Sequence, residues 1–110
     1  MKECDIAIIG AGVVGLAIAH KVCNKYSVIV IEAEDSFGKH TSSRNSETIH
    51  SGIYYPADTL KAKLCLRGNE LLYQYARDND ISFLNCGKYI IASDDSEVSE
   101  IHRLFENGNR

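Results

Sequence analysis

The stretch Cys4-Asp-Ile-Ala-Ile-Ile-Gly10-Ala-Gly12-Val-Val-Gly15-Leu-Ala-Ile-Ala-His20 decides how the rest of the chain is read. Cys4 to Ile9 is a short apolar run rich in isoleucine and stopped by a glycine, the pattern of a strand buried on both faces in a parallel sheet. From Val13 to Asn24 the period changes. Val14, Ala17, Ile18 and Val22 recur at helical spacing, with His20, Lys21 and Asn24 on the other side. A second buried run, Ser27-Val-Ile-Val-Ile-Glu32, follows at once. Strand, glycine turn, helix and strand make a βαβ unit, and its crossover is expected to be right-handed because a right-twisted strand packs back onto its sheet only that way.

Gly10-Ala-Gly12-Val-Val-Gly15 is G-x-G-x-x-G, weak as a bare string and much stronger between a strand and a helix. Each glycine has a separate task. Gly10 turns the chain off the strand, Gly12 omits the Cβ that would block a pyrophosphate, and Gly15 lets helix and strand pack closely. The amides of Val13 and Val14 then face an anion with unpaired donors and the positive end of the helix dipole. Glu32 ends the second strand near the spacing, about 20 residues, at which an acid accepts hydrogen bonds from an adenosine ribose. A bare acid there repels a 2′-phosphate, and Ala33-Glu34-Asp35 bring no arginine to reverse that. NADP is therefore disfavoured, while NAD and FAD remain.

With 110 residues the chain holds one domain at most, against a prior of about 150 residues per domain. Apolar residues at 45% and charged residues at 25% are ordinary for a globular protein and exclude disorder or a collagen-like array. A net charge of −3, with both signs spread along the chain, gives no footing for nucleic acid. Cys4, Cys23, Cys65 and Cys86 are widely separated, with no C-x-x-C pair and no metal-ligand spacing; no metal is expected, and reduced thiols in a cytoplasmic protein are. The apolar stretch from Ile6 to Ala19 is shorter than the about 20 residues that cross a bilayer, and Glu3 and Asp5 spoil the positive start of a signal peptide. No transmembrane segment is expected.

Beyond Glu32 the pattern loses its period. Ala33 to Pro56 fills with Ser, Thr, Asn and His, a composition that suits hydrogen bonding to a large polar cofactor and equally a solvated loop. Asp58 to Asp80 reads as the longest helix, capped by Asp58, with Leu64, Leu71, Leu72, Tyr75 and Ala76 as its apolar stripe. Gly68 within it costs about 1 kcal/mol in propensity and suggests a close packing contact. Ile81 to Leu84 and Tyr89 to Ala92 read as strands around a turn at Asn85 to Gly87, and Glu97 to Asn107 as a last helix. The fold class is thus α/β: a partial Rossmann-like dinucleotide-binding domain made of a βαβ unit, a long helix, additional strands and a C-terminal helix.

Ser43-Arg44-Asn45-Ser46, Ile49-His50-Ser51-Gly52-Ile53-Tyr54-Tyr55-Pro56, Leu60-Lys61-Ala62-Lys63-Leu64-Cys65 and Cys86-Gly87-Lys88 carry a more specific likeness. They resemble the L-2-hydroxyglutarate oxidase or dehydrogenase family, within the wider group of FAD-dependent oxidoreductases that includes D-amino-acid oxidase and glycerol-3-phosphate dehydrogenase. The resemblance runs from the first strand to about residue 108. It implies FAD as cofactor, with the adenosine half on Gly10, Gly12, Val13, Val14, Gly15 and Glu32, and with Ser42, Ser43, Asn45, Ser46 and His50 near the pyrophosphate and flavin.

Such enzymes oxidise the C2 hydroxyl of L-2-hydroxyglutarate to the 2-oxo acid, passing a hydride equivalent to the flavin. An imidazole suits proton transfer near neutrality, so His50 is the candidate catalytic residue, or else a hydrogen-bond partner of flavin or backbone. His20, His40 and His102 read as surface residues, and Lys61, Lys63 and Arg67 either as carboxylate partners or as a solvated helix face. Glu47 departs from the family, which places a small residue there.

Relatives of this kind are several times longer. Residues 1–110 are therefore expected to be the N-terminal part of an FAD/NAD(P)-binding domain, lacking the substrate domain and inactive alone. The alternative is a nucleotide-binding module that pairs with a second polypeptide. The small-molecule 2-hydroxy acid, like any peripheral membrane association, belongs to the full-length relatives.

Overall fold

The computed structural model describes residues 3–110, in two compact units, Met1–Thr48 and Ile49–Arg110. The first holds strand β1 (Ile6–Ile9), helix α1 (Val13–Val22), strand β2 (Val28–Ile31) and a 3-10 turn over His40–Ser43. The second holds helix α2 (Leu60–Asp78), a short 3-10 turn over Asp95–Glu97 and helix α3 (Val98–Gly108).

In the first unit β1 and β2 run parallel in strict register, from Ile6 opposite Val28 to Ile9 opposite Ile31. This is the βαβ unit expected from the apolar runs, and it supports the α/β class. The strand ends are fastened before and after the ladder: Asp5 and Ile6 amides donate to the Ser27 carbonyl (2.9 and 3.1 Å), and Gly10 N donates to the Ile31 carbonyl (2.7 Å). The Asp5 carboxylate returns a bond from Ser27 N (2.8 Å), so the ladder opens at Ile6 and not at Cys4.

The face that α1 turns inward differs from the expected one. Gly15, Ala19 and Val22 are half-buried, while Val14, Ala17 and Ile18 are exposed. The reason is Gly15. A Cβ there would lie 2.0 Å from the Gly10 carbonyl oxygen and 3.3 Å from Ile8 Cγ2, so the helix sits too close to the strand for its larger residues to point that way.

In the second unit α2 is capped one residue later than expected. Thr59, not Asp58, is the N-cap: its hydroxyl oxygen accepts from Ala62 N (3.2 Å) while its hydrogen goes to the Pro56 carbonyl (2.7 Å). At the other end Asp80 takes the left-handed conformation (φ 54°), and Ile81 N reaches back to the Ala76 carbonyl (2.8 Å), closing a Schellman motif. The inward residues of α2 are Ala62, Cys65, Gly68, Asn69, Tyr73 and Ala76; of the expected stripe Ala76 is buried, whereas Leu64, Leu71, Leu72 and Tyr75 are exposed, Leu64 to 61%. Small residues face in because the chain from His50 to Ile53 lies against this side, where the Cβ of any residue replacing Gly52 would stand 3.4 Å from Cys65 Cβ. Gly68 has no neighbour within 4 Å of where its Cβ would be, so close packing does not explain it.

Residues 81–92 form no strand among the described residues, contrary to the two strands expected there. A strand is stabilised by ladder partners on a neighbouring chain segment, and these residues have none. Within this stretch Phe83 packs edge-on against Tyr73, with ring centroids 5.1 Å apart. Helix α3 runs Val98–Gly108, one residue offset from the expected Glu97 to Asn107. Among the described residues, no helix is long and apolar enough to cross a membrane.

Candidate functional site

The site grows out of the turn between β1 and α1. Gly10 leaves the strand at φ +99°, a conformation open to glycine at little steric cost, and delivers Ala11 into the only buried position of this unit among the described residues. Both polar groups of Ala11 are then engaged. Its N–H donates to Glu32 Oε2 (2.5 Å), and its carbonyl accepts from Gly38 N (2.9 Å), where Gly38 turns at φ +70°.

Glu32, at the end of β2, also receives Ala33 N (2.8 Å) and Glu34 N (3.1 Å) on Oε1. Three backbone donors thus converge on one carboxylate. The Ala11 amide first, then those of Glu34 and Ala33, hold the Glu32 carboxyl below the usual glutamate range, with His40 adding to the effect. Oε1 accepts two bonds and Oε2 one, so Oε2 keeps a lone pair for a further donor such as a sugar hydroxyl.

At the N-terminus of α1 the expected amides divide into two groups. Val13 N donates to Ser42 Oγ (2.9 Å), a side chain brought from the 3-10 turn. Gly12, Val14 and Gly15 amides have no acceptor among the described residues. Having accepted from Val13, the Ser42 hydroxyl has its own hydrogen free to donate. A Cβ at Gly12 would lie 3.0 Å from Ser42 Oγ, so the space Gly12 leaves is shared with this serine.

The remaining predicted residues are placed less centrally. Ser43 Oγ donates to the His40 carbonyl (3.1 Å), and Asn45 Nδ2 donates to the carbonyls of Thr41 (3.3 Å) and Ser42 (3.2 Å), so both brace the loop that presents Ser42. The Asn45 side-chain oxygen accepts from the amide of Glu47, which adopts φ 54°. Ser46 contributes its carbonyl, to Thr48 Oγ1 (3.2 Å).

A cavity of 570 Å³ opens between Ala33 to Asp35 and Lys39 to Arg44. Its cations were not visible in the three residues after Glu32. Lys39 faces Asp35 (3.6 Å) and His40 faces Glu34 (2.8 Å), while Arg44 has no carboxylate partner among the described residues. Ala33-Glu34-Asp35 bring no arginine, as the sequence shows, and Arg44 reaches this cavity from the loop beyond them.

His50 belongs to the second unit. Its carbonyl accepts from Asn69 Nδ2 (3.1 Å) and Cys65 Sγ (3.5 Å), and its exposed ring has no hydrogen-bond partner among the described residues. Gly52 follows at φ +84° and opens a turn closed by Tyr55 N on its carbonyl (2.9 Å). Asn107 Nδ2 on α3 grips that turn, donating to the Ile53 (2.7 Å) and Tyr55 (2.8 Å) carbonyls. The three basic residues of α2 offered as carboxylate partners also separate: Arg67 pairs with Glu70 (2.8 Å), Lys61 lies over the Tyr55 ring (4.1 Å), and Lys63 makes neither kind of contact. All four cysteines are free thiols, and no cluster of three metal-ligating side chains occurs among the described residues.

A relative from Arabidopsis thaliana, "L-2-hydroxyglutarate dehydrogenase, mitochondrial", is 47% identical over 110 residues, 99% of this chain and 23% of that protein. The Homo sapiens protein of the same name is 43% identical over 107 residues, covering 94% of this chain and 23% of its own. "L-2-hydroxyglutarate dehydrogenase" of Escherichia coli (strain K12) is 34% identical over 105 residues, 93% of this chain and 25% of its own. The chain thus spans about a quarter of the length of the curated relatives it matches. The profile described as "FAD dependent oxidoreductase" matches residues 5–110, nearly everything the structure describes. A glycine turn, an acid at the end of β2 and that match converge on one statement: the chain belongs to the family of FAD dependent oxidoreductases.

Proposed function

We propose that this chain binds the ADP half of FAD, as the N-terminal part of a protein that oxidises L-2-hydroxyglutarate to 2-oxoglutarate. The observation that carries the reading is the junction of Glu32 with the glycine turn. One carboxylate holds the Ala11 amide and keeps a lone pair on Oε2, beside a helix N-terminus with three unpaired amides. These residues fit an adenosine diphosphate. Gly12, Val14 and Gly15 amides and the Ser42 hydroxyl would donate to phosphate oxygens, and Glu32 Oε2 would accept from a ribose hydroxyl. Glu32 disfavours a 2′-phosphate by like charge. That preference rests on Glu32 itself, since Arg44 lines the adjoining cavity.

When bound, FAD would supply the two-electron acceptor for the C2–H of the hydroxy acid. His50 would take the hydroxyl proton. Its ring is unencumbered while its backbone is anchored by Asn69, which keeps the base in place without occupying its nitrogens. The relatives' names support the substrate. The FAD-dependent family and the turn geometry support the cofactor.

Calorimetric titration of the chain with FAD, ADP and NADP tests the first step. Saturable binding of FAD and ADP is expected, weakened at least about tenfold, or 1.4 kcal/mol, in Gly12→Val and Glu32→Ala, with NADP the poorest ligand. A well-folded chain that takes neither FAD nor ADP defeats the proposal.

A further inference from the structure

We propose that Lys88 and Tyr54 form a carboxylate clamp in the second unit, with Lys61 on the adjacent Tyr55 as a second positive group, and that these groups take a small dicarboxylic acid. The choice of a dicarboxylate rests on the 2-hydroxy-acid reading above; the clamp itself rests on geometry within residues 49–110.

Lys88 Nζ donates to Tyr54 Oη at 2.9 Å and stands 4.7 Å from the centre of that ring. The ammonium has three donors and spends one there. Tyr54, having accepted, has its own O–H hydrogen free, with no acceptor among the described residues. Two donors on atoms 2.9 Å apart therefore point away from their shared bond, which suits the paired oxygens of a carboxylate. One residue further on, Lys61 Nζ lies 4.1 Å from the centre of the Tyr55 ring. The aromatic face attracts and orients this cation without neutralising it.

Neither ammonium has a carboxylate partner among the described residues, whereas Arg67 and Arg103 each have one, Glu70 and Glu100. The two positive groups are therefore held but not satisfied. Their platform is also fixed. The turn that bears both tyrosines is closed by the Tyr55 amide on the Gly52 carbonyl and gripped by Asn107 at the Ile53 and Tyr55 carbonyls. Preorganised donors lose little freedom when an anion arrives. His50 stands four residues before Tyr54, its carbonyl tied to Asn69, so the proposed proton acceptor and the clamp share one braced segment.

The test is an NMR titration of the labelled 110-residue chain with glutarate, reading the Tyr54 ring and Lys88 side-chain signals. Saturable shifts that fade with added salt are expected, with butyrate, a monocarboxylate, binding more weakly. Lys88→Gln and Tyr54→Phe should each weaken glutarate about tenfold, as expected for loss of one charge-assisted or donor contact. Lys61→Gln should weaken it severalfold, and Lys63→Gln, on the same helix without an aromatic partner, should leave it unchanged. Lys88→Arg, which keeps the charge, should recover part of the loss if Lys88→Gln disturbs folding. Glutarate that shifts no Tyr54 or Lys88 signal in the unaltered chain, or binds Tyr54→Phe and Lys88→Gln at full strength, overturns the clamp. A parallel FAD titration separates the two claims: glutarate binding without FAD binding keeps the clamp and sinks the flavin reading, and the reverse outcome sinks the clamp alone.

Discussion

The first unit is held together by backbone groups and two carboxylates, Asp5 and Glu32, the second by side chains that reach carbonyls far away in sequence. In the first, the Ala11, Ala33 and Glu34 amides meet on Glu32, and β1 and β2 zip residue for residue. In the second, Asn107 spans 54 and 52 residues to the Ile53 and Tyr55 carbonyls, and Asn69 reaches back to His50. The contrast has a physical root. A parallel βαβ turn satisfies its own backbone with bonds dictated by glycine placement and strand pairing, so its sequence must spell them out. A turn fastened by asparagine amides needs only one correct side chain at a distant position, and a single asparagine looks like any other.

Substitutions at three positions probe that contrast, the largest effect first. Gly15→Ala would put a Cβ 2.0 Å from the Gly10 carbonyl oxygen, backbone against backbone, where no rotamer change relieves the clash. We expect a loss of at least about 3 kcal/mol in urea unfolding followed by circular dichroism, at or above the usual range for overpacking. A stability within experimental error of the parent would mean that α1 slides freely over β1.

Asn107→Ala leaves two carbonyls without their donor and should cost about 1–3 kcal/mol. Asn107→Asp should cost more, because a carboxylate would face the same two oxygens. Amide exchange at Tyr55, whose N–H closes the turn on Gly52, is the sensitive reporter and should accelerate in both. Unaltered exchange there would show that the turn stands without its brace.

The smallest effect is a matter of pH. Backbone donors depress the Glu32 carboxyl in the folded chain, so its contribution is fully present above the unfolded value of about 4.3 and is lost as pH falls through the lower folded value. Glu32→Gln removes that titration. The gap in urea midpoint between the two chains should be constant above about pH 5 and narrow on acidification below it. A gap that stays constant down to about pH 2 would mean the three amides do not favour the ionised form.

How much could be read beforehand follows the same division. β1, the glycine turn, β2 and Glu32 were legible because apolar runs and glycine spacing are local signals. Ser42 was placed near the pyrophosphate through family likeness, but its bond to Val13 N and the tie from Gly38 to Ala11 join residues across a loop without period. The inward faces of α1 and α2 were read only in part. The close approach at Gly15 and the inward Val22 and Ala76 were expected, whereas Ala19 and Ala62 were not, because small residues carry little hydropathy signal beside the leucines and isoleucines of an apolar stripe. Residues 81–92 have strand composition without a ladder, since propensity describes a residue's fit to a pleated surface and cannot supply the neighbour.

The closeness of Gly12 to Ser42 has a bearing on any attempt to re-engineer the nucleotide seat. Because a methyl at position 12 would crowd the serine oxygen at 3.0 Å, the two positions form one volume shared between distant parts of the chain. A side chain introduced at position 12 therefore displaces the Ser42 hydroxyl from Val13 N, so libraries that diversify the glycine motif gain from varying position 42 in the same step.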